Sequence, residues 1–170
     1  SAGTDCTDCG TTYEGCYGSD MAGGLIQISC GSLLLDAGAR IEAKGVGSAS
    51  GGSINIQLKD GGTVKGSGVI DVGVTAYTGS HKYRRAGGGR AAVLDYGSIT
   101  DEIVANFRMD GQKANGGSAS GTFCYRKVGE DGNLMVRSTF RTTLDTPVVR
   151  PAASGSIEVN NAKATFDAGS

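Results

Sequence analysis

Five cysteines, one histidine and one basic, tyrosine-bearing run hold most of the reactive side chains of this 170-residue chain. Cys6, Cys9, Cys16 and Cys30 fall within the first thirty residues, and Cys124 stands alone. Thiols at this spacing serve three chemistries. In an oxidising compartment they form a local disulfide cluster with one cysteine left over. As thiolates, the first four have the number and type of ligands for one tetrahedral zinc. The stretch CTDCG at 6–10 has the spacing of a redox pair. A c-type haem does not fit, because Gly10 stands where that attachment needs histidine. Disulfides among Cys6, Cys9, Cys16, Cys30 and Cys124 are the expectation. The odd thiol then pairs with another chain or is buried as a small apolar residue. No metal and no cofactor are expected.

His81 is the only histidine, so any Ser-His-Asp or Cys-His mechanism would have to use it, and a histidine-rich zinc site is impossible. It lies in TAYTGSHKYRRAGGGR, residues 75–90, with Lys82, Arg84, Arg85 and Arg90 beside Tyr77 and Tyr83. Guanidinium forks and tyrosine rings together suit an anion or a sugar. The same residues also make a solvated loop or a patch for an acidic protein, and a protein interface is the expected use. The carboxylates are scattered. Asp101 and Glu102 are adjacent, which on a strand puts them on opposite faces.

Composition narrows the classes further. Sixteen basic residues balance seventeen acidic ones, a net charge of −1, which gives no basic excess for nucleic acid. No apolar run approaches the ~20 residues of a bilayer span, and no charged start precedes an apolar signal-peptide core. A mature secreted chain would lack that signal too. Glycine supplies 30 residues and proline two, so the chain is glycine-rich without being collagen-like.

The glycines punctuate a repeat. GGLIQISCGSLLLDAGARIEAKG (23–45) and GGSINIQLKDGGTVKGSGVIDVG (51–73) each carry a glycine pair, an alternating strand, a turn, a second strand, another small-residue turn and a third strand. The pattern returns more loosely at 87–111, 120–140 and 154–170. Anchored on Gly24, Gly52, Gly88, Gly121 and Gly155, it makes about five units of about thirty residues. Short β-branched strands of period two, joined at glycine corners, predict an all-β fold: a parallel β-helix, or β-solenoid, of about five short coils. Residues 1–20 are read as a Cys-rich N-terminal cap or arm, and 21–170 as the solenoid domain. An antiparallel sandwich also uses many short strands but does not predict the recurring glycine pair. SITDEIVANF (98–107) is the best helix candidate, yet its spacing misses a capping box, and no stretch is convincingly helical. Ranks of threonine in register, which an ice-binding face would need, are absent outside RSTFRTTLDT at 137–146.

GGGRAAV at 87–93, GGSASGTFCY at 116–125 and GNLMV at 132–136 follow one another in the chain, after GSLLLDAGARIEAKG and GTVKGSGVIDVG. In these motifs residues 23–137 resemble the glycine-rich, right-handed β-helical repeats of very large exported bacterial proteins, with Ala91–Ala92 where those repeats carry Ile-Ala. The resemblance implies a solenoid geometry and an extracellular or cell-surface location, and brings no catalytic residues. A solenoid has two ends with unpaired strand edges. The C-terminal stretch shows no cap, so that end is expected to dock on another subunit or to continue into a longer chain. The expected function is an extracellular structural protein, not an enzyme. It would be a homo-oligomer or filament built through strand edges, without nucleic acid and without a membrane span. The alternative is a carbohydrate-binding or carbohydrate-cleaving β-helix module that meets a surface glycan. β-Helical lyases gather carboxylates along one groove, which here would require Asp71 to align with a carboxylate one coil away.

Overall fold

The computed structural model describes residues 21–75, 86–112, 118–139, 142, 145–148 and 156–166. Short strands dominate it. The first stretch holds β1 (Leu25–Cys30), β2 (Leu33–Leu35), β3 (Arg40–Glu42) and β4 (Gly45–Val46). The second repeats the series as β5 (Ser53–Leu58), β6 (Thr63–Gly66), β7 (Val69–Asp71) and β8 (Val74–Thr75). The third holds β9 (Arg90–Tyr96), β10 (Ser98–Ile99), the five-residue helix α1 (Asp101–Ala105) and β11 (Phe107–Arg108). Then come β12 (Thr122–Lys127), β13 (Asn133–Arg137), β14 (Asp145–Val148), β15 (Ile157–Asn160) and β16 (Lys163–Phe166). The fold is all-β, and α1 is the one helix among the described residues.

Each strand pairs in parallel with the strand holding the same place in the next stretch. β1, β5, β9 and β12 align side by side, as do β2, β6 and β10, then β3, β7 and β11, then β4 and β8. The chain therefore stacks layer upon layer. Because side chains alternate along a strand, in-register pairing sorts them into columns. Ile26, Ile54, Ala91 and Phe123 form one inward column, and Ile28, Ile56, Val93 and Tyr125 form the next. Leu33, Val64 and Ile99 form a third, and Ile41, Ile70 and Phe107 a fourth. In the second layer Ile54, Ile56, Val64 and Ile70 are at most 2% exposed. Each such side chain contributes about 1.5–3 kcal/mol by leaving water. The Phe107 and Phe123 rings stack with centroids 3.3 Å apart, and Tyr125 lies 5.2 Å beyond Phe123. Ala91 is the small residue in the Phe123 column and is 5% exposed.

The corner before the long strand explains the glycine pairs. Ser53 N donates to Gly24 O at 2.9 Å, Arg90 N to Gly52 O at 2.9 Å and Thr122 N to Gly89 O at 3.0 Å. A Cβ on Gly52, Gly89 or Gly121 would lie 2.0–2.1 Å from the carbonyl oxygen of the glycine one layer below. The repeat spacing differs from expectation here. Gly89, not Gly88, is in register with Gly52, and the long strands start 28, 37 and 32 residues apart. Three consecutive glycines, 87–89, left the choice open in the sequence; the inward position of Ala91 and Val93 decides it.

Two further expectations are corrected. The fourth unit continues the parallel stack only through β12, and the fifth does not join it. Glu130 N donates to Lys127 O at 3.1 Å across a turn in which Gly129 takes φ +75°. Such a turn, tolerated by glycine, folds β13 back antiparallel on β12, with Phe123 opposite Met135. Beyond it β13 pairs in parallel with β15, and β14 with β16. The sequence shows strand, glycine turn, strand in either topology, and the tightness of this turn makes the difference. The stretch 98–107 also holds a helix after all. Thr100 forms no side-chain cap and instead donates to Gly66 O at 3.2 Å, while Asn106 donates to Ser67 O at 2.7 Å. Arg137 Nη2 closes the helix from the other side, donating to the carbonyls of Val104, Ala105 and Phe107 at 3.0–3.1 Å. Ile103, 1% exposed, plugs the core at that corner. Contacts from neighbouring layers, not helix propensity, hold this single turn.

The corner geometry predicts a sharp contrast. Gly89→Ala should cost about 3 kcal/mol or more in urea denaturation, whereas Gly24→Ala, with open space around its Cβ, should stay within about 0.5 kcal/mol of the parent.

Candidate functional site

The densest charged group sits on the outer face of the third sheet. Ile41, Ile70 and Phe107 point inward, so the next residues, Glu42, Asp71 and Arg108, share the outer side in one row. Asp71 thus aligns with a carboxylate one layer away, as a polysaccharide-cleaving groove would require. Its surroundings are those of a staple. Asp71 Oδ1 accepts from Gly73 N at 2.8 Å, and Oδ2 faces Lys44 Nζ at 3.4 Å and Arg40 Nη2 at 3.9 Å. Arg40 also binds Glu42 Oε1 at 2.5 Å. The Asp71 side chain is only 8% exposed, and both its oxygens face donors of the protein. What reaches solvent are Arg40, Glu42 and Arg108.

A second polar knot lies on the outer face of the six-stranded sheet. Gln57 Nε2 donates to Asp95 Oδ2 at 2.7 Å, and Arg126 donates to Oδ1 through Nε at 3.0 Å and Nη2 at 2.8 Å. Asp95 has φ +57° and is the extra residue where pairing shifts from Leu94 with Arg126 to Tyr96 with Lys127. This bulge turns the carboxylate toward residues of both adjacent layers. The hydrogen bond from Gln57, then those from Arg126, hold the Asp95 carboxyl below its ordinary value of 3.8. A third carboxylate, Asp110, accepts from Ser138 Oγ at 2.8 Å, Thr139 N at 2.7 Å and Thr139 Oγ1 at 2.9 Å, tying the segment after β13 to the third layer. Among the described residues, no three His, Cys, Asp or Glu side chains gather as metal ligands would.

The residues singled out in the sequence disperse. Cys6, Cys9 and Cys16, and Tyr77, His81, Lys82, Tyr83, Arg84 and Arg85, lie outside the described residues. Arg90 is exposed at the start of β9, in a row with Ser53 and Thr122 and on a different sheet from Arg108. Among the described residues Cys30 and Cys124 form no disulfide, and the other candidates, Cys6, Cys9 and Cys16, lie outside them. Cys30 and Cys124 cannot bridge each other. Cys30 shares the inward side of β1 with Ile26 and Ile28, while Cys124 is on the outward side of β12 between Ala92 and Leu134. Three strand spacings, about 14 Å, also separate β1 from β12. Cys124 is instead half-buried among apolar neighbours, and that burial pushes its thiol pKa up.

The remaining unusual surface is the strand edges. β1 and β15 are the outermost strands of the six-stranded sheet. All four residues of β15 are exposed on both faces, with Ile157 and Val159 each 43% accessible. The sequence placed a strand at SIEVNN in the uncapped C-terminal stretch, and β15 lies there; its parallel pairing with β13 was not legible in it.

Two outcomes follow from the charged groups. Asp71→Ala should lower stability by about 1–3 kcal/mol, since it orphans the Gly73 N–H and leaves Lys44 unpaired, whereas the exposed Arg40→Ala should cost less than about 1 kcal/mol. Asp95 should shape the acid limb. Its folded value is depressed, so its stabilisation is complete above 3.8 and drains as pH falls through the lower folded value. Asp95→Asn should therefore be less stable than the parent at neutral pH and show a shallower stability loss below that value, read by denaturant titration across pH.

Comparison with known protein families, with curated proteins and with solved structures found no match, so function has to be read from the chain's own geometry.

Proposed function

We propose that the chain is a parallel β-solenoid module of an extracellular or cell-surface structural protein, and that it joins copies of itself through free strand edges. The observation that carries this reading is β15. It is an outermost strand whose outer edge meets no strand among the described residues, and it presents Ile157 and Val159 to water. Protected edges use lysine, proline, a bulge or a covering loop. Ile-Glu-Val-Asn has none of the first two, and its pairing with β13 is regular. Such an edge recruits another strand by main-chain hydrogen bonds, with alternate side chains giving register.

The symmetry open to such an assembly follows from the hairpin. β15 runs parallel to β13 and hence opposite to β12 and β1. Two copies related by a two-fold axis would pair β15 with β15 antiparallel and close as a dimer, whereas β15 against the first layer of the next copy would propagate a filament. The glycine-rich repeats support an exported surface location through their resemblance to β-helical repeats of large exported proteins.

A second reading, glycan binding, is favoured by the outward, exposed side chains of Arg40, Glu42 and Arg108 on one parallel sheet. The burial of Asp71 argues against cleavage there.

Electron microscopy and light scattering of the purified chain test the first reading. The parent should show concentration-dependent dimers or filaments. Ile157→Lys with Val159→Lys should weaken association at least about tenfold, with a thermal midpoint close to the parent's, because both side chains are exposed. Dispersed monomers at high concentration would overturn it, and retention of the chain on an acidic or neutral glycan surface, lost in Arg108→Ala, would favour the second reading.

A further inference from the structure

The outer edge of β15 can be resolved bond by bond. Leu134 N donates to Ser156 O at 2.9 Å, and Ser138 N donates to Asn160 O at 3.1 Å. In a strand the main-chain groups of alternate residues point to opposite sides. Glu158 and Asn160 therefore turn theirs toward β13. Ile157 and Val159 turn theirs to the outer edge, which no strand meets among the described residues. The side chains divide as well. Ile157 and Val159 take the outward positions beside Leu134 and Val136, and Glu158 takes the inward position beside Met135. The column that runs through Phe123 and Met135 thus ends on a carboxylate.

This division selects the partner. The first layer of another copy would set Glu158 beside Ile26 and Ile28, stripping water from an unpaired carboxylate. A second β15, antiparallel about a two-fold axis, keeps isoleucine and valine on one side and polar residues on the other. We propose that β15 pairs with β15 of a second copy with Ile157 opposite Val159, and that the two Glu158 carboxylates, set face to face by this register, make the association strengthen on acidification. The proposal rests on self-association through β15 and adds its symmetry, register and pH dependence.

The register follows from counting bonds. With Ile157 opposite Val159, each of these residues in each copy donates one N–H across the edge. Sliding by two residues, the smallest step that keeps the faces matched, halves that number. One slide sets Ile157 opposite Asn161, whose carbonyl already accepts from Thr142 N at 2.9 Å and whose φ of +54° turns it out of the strand. The other carries Val159 past the start of the opposite β15. The favoured register places Glu158 opposite Glu158 in a close, non-hydrogen-bonded pair, with Cβ atoms about 5 Å apart.

Like charges directly opposite weaken strand pairing. No ion pair engages Glu158 among the described residues. On its side of the sheet, Arg137 of β13 commits Nη2 to the carbonyls of Val104, Ala105 and Phe107. Tyr125 of β12 offers no positive charge; burial, and then the charge of Glu158, push its hydroxyl up. A proton held between the opposed carboxylates removes their repulsion, so the paired copies take up a proton that separate copies do not. Association therefore strengthens as pH falls through the carboxylate range and weakens as pH rises through it.

Sedimentation of the full chain, kept reduced, gives the association constant at about pH 7 and about pH 4, which bracket that range. Glu158→Gln should associate about three- to fivefold more tightly than the parent at the higher pH and lose that advantage at the lower. Comparing variant and parent at the same pH removes the change in overall charge. Glu158→Lys mixed with isotope-labelled parent should form mixed dimers more often than random pairing gives, because opposite charges then face each other. The side chain is exposed, so both variants should keep a thermal midpoint close to the parent's. Dimers equally strong in Glu158→Gln and parent at the higher pH, or pairing at random with Glu158→Lys, overturn the register. Open-ended oligomers overturn the two-fold pairing and leave edge-driven assembly standing. Monomers in parent and Glu158→Gln alike, at both pH values and high concentration, overturn both.

Discussion

Backbone must touch backbone at the layer corners, and the rest of the structure depends on that contact. The long strands β5, β9 and β12 each start by donating an amide hydrogen to a glycine carbonyl one layer below. That bond places the next layer's glycine with no room for a Cβ, 2.0–2.1 Å from the same oxygen. Only glycine satisfies both conditions. Once the corners stack, the strands that leave them are in register, and register assigns every side chain a face. The apolar columns are a consequence of the corners as much as of hydrophobicity. A slip of one residue would expose Ile54, Ile56 and Ile28 together.

The charged groups serve the same stacking. Gln57, Asp95 and Arg126 come from three consecutive strands of one sheet, and Asp71 draws on Arg40 and Lys44 of the layer below. Asp110 reaches forward to Ser138 and Thr139. These bonds cross between layers on the outside while isoleucine, valine and phenylalanine fill the inside. Partly exposed ion pairs add little stability one by one. Their value is directional: a carboxylate held by specific donors from two layers favours one register over its neighbours. Chemistry-bearing residue types here act as fasteners.

The two ends of the stack are unlike. At one, the first layer leaves apolar side chains half-buried beside three strand edges that no strand meets among the described residues. At the other, the Gly129 turn reverses the chain, Arg137 ties the reversed strand to the carbonyls around α1, and β15 becomes the outer strand. The reversal changes the direction of the last edge relative to the first, which sets the symmetry that docking can have.

The sequence by itself determined the strands and the corners. Ile26–Ile28 and Ile54–Ile56 alternate, glycine pairs recur 28 residues apart, and no helical period competes, so a layered all-β chain was legible from local pattern alone. It did not determine register through Gly87–Gly89, because three glycines in a row fit three alignments; the burial of Ala91 and Val93 selected Gly89. Nor did it determine the direction of β13, since a glycine turn between two apolar strands reads alike whether the chain goes round a corner or folds back. The helix at Asp101–Ala105 lies in the best helix candidate, 98–107, but local pattern did not carry it for a related reason: its support comes from Gly66, Ser67 and Arg137, far away in the chain. The fate of the reactive residues was likewise tertiary. Cys30 and Cys124 fall on opposite faces because one is an even and the other an odd step from its column of isoleucines, and Asp71 is sealed because Lys44 and Gly73 close over it. Pattern fixes which residues form layers; only the stacking of layers decides which of them meet.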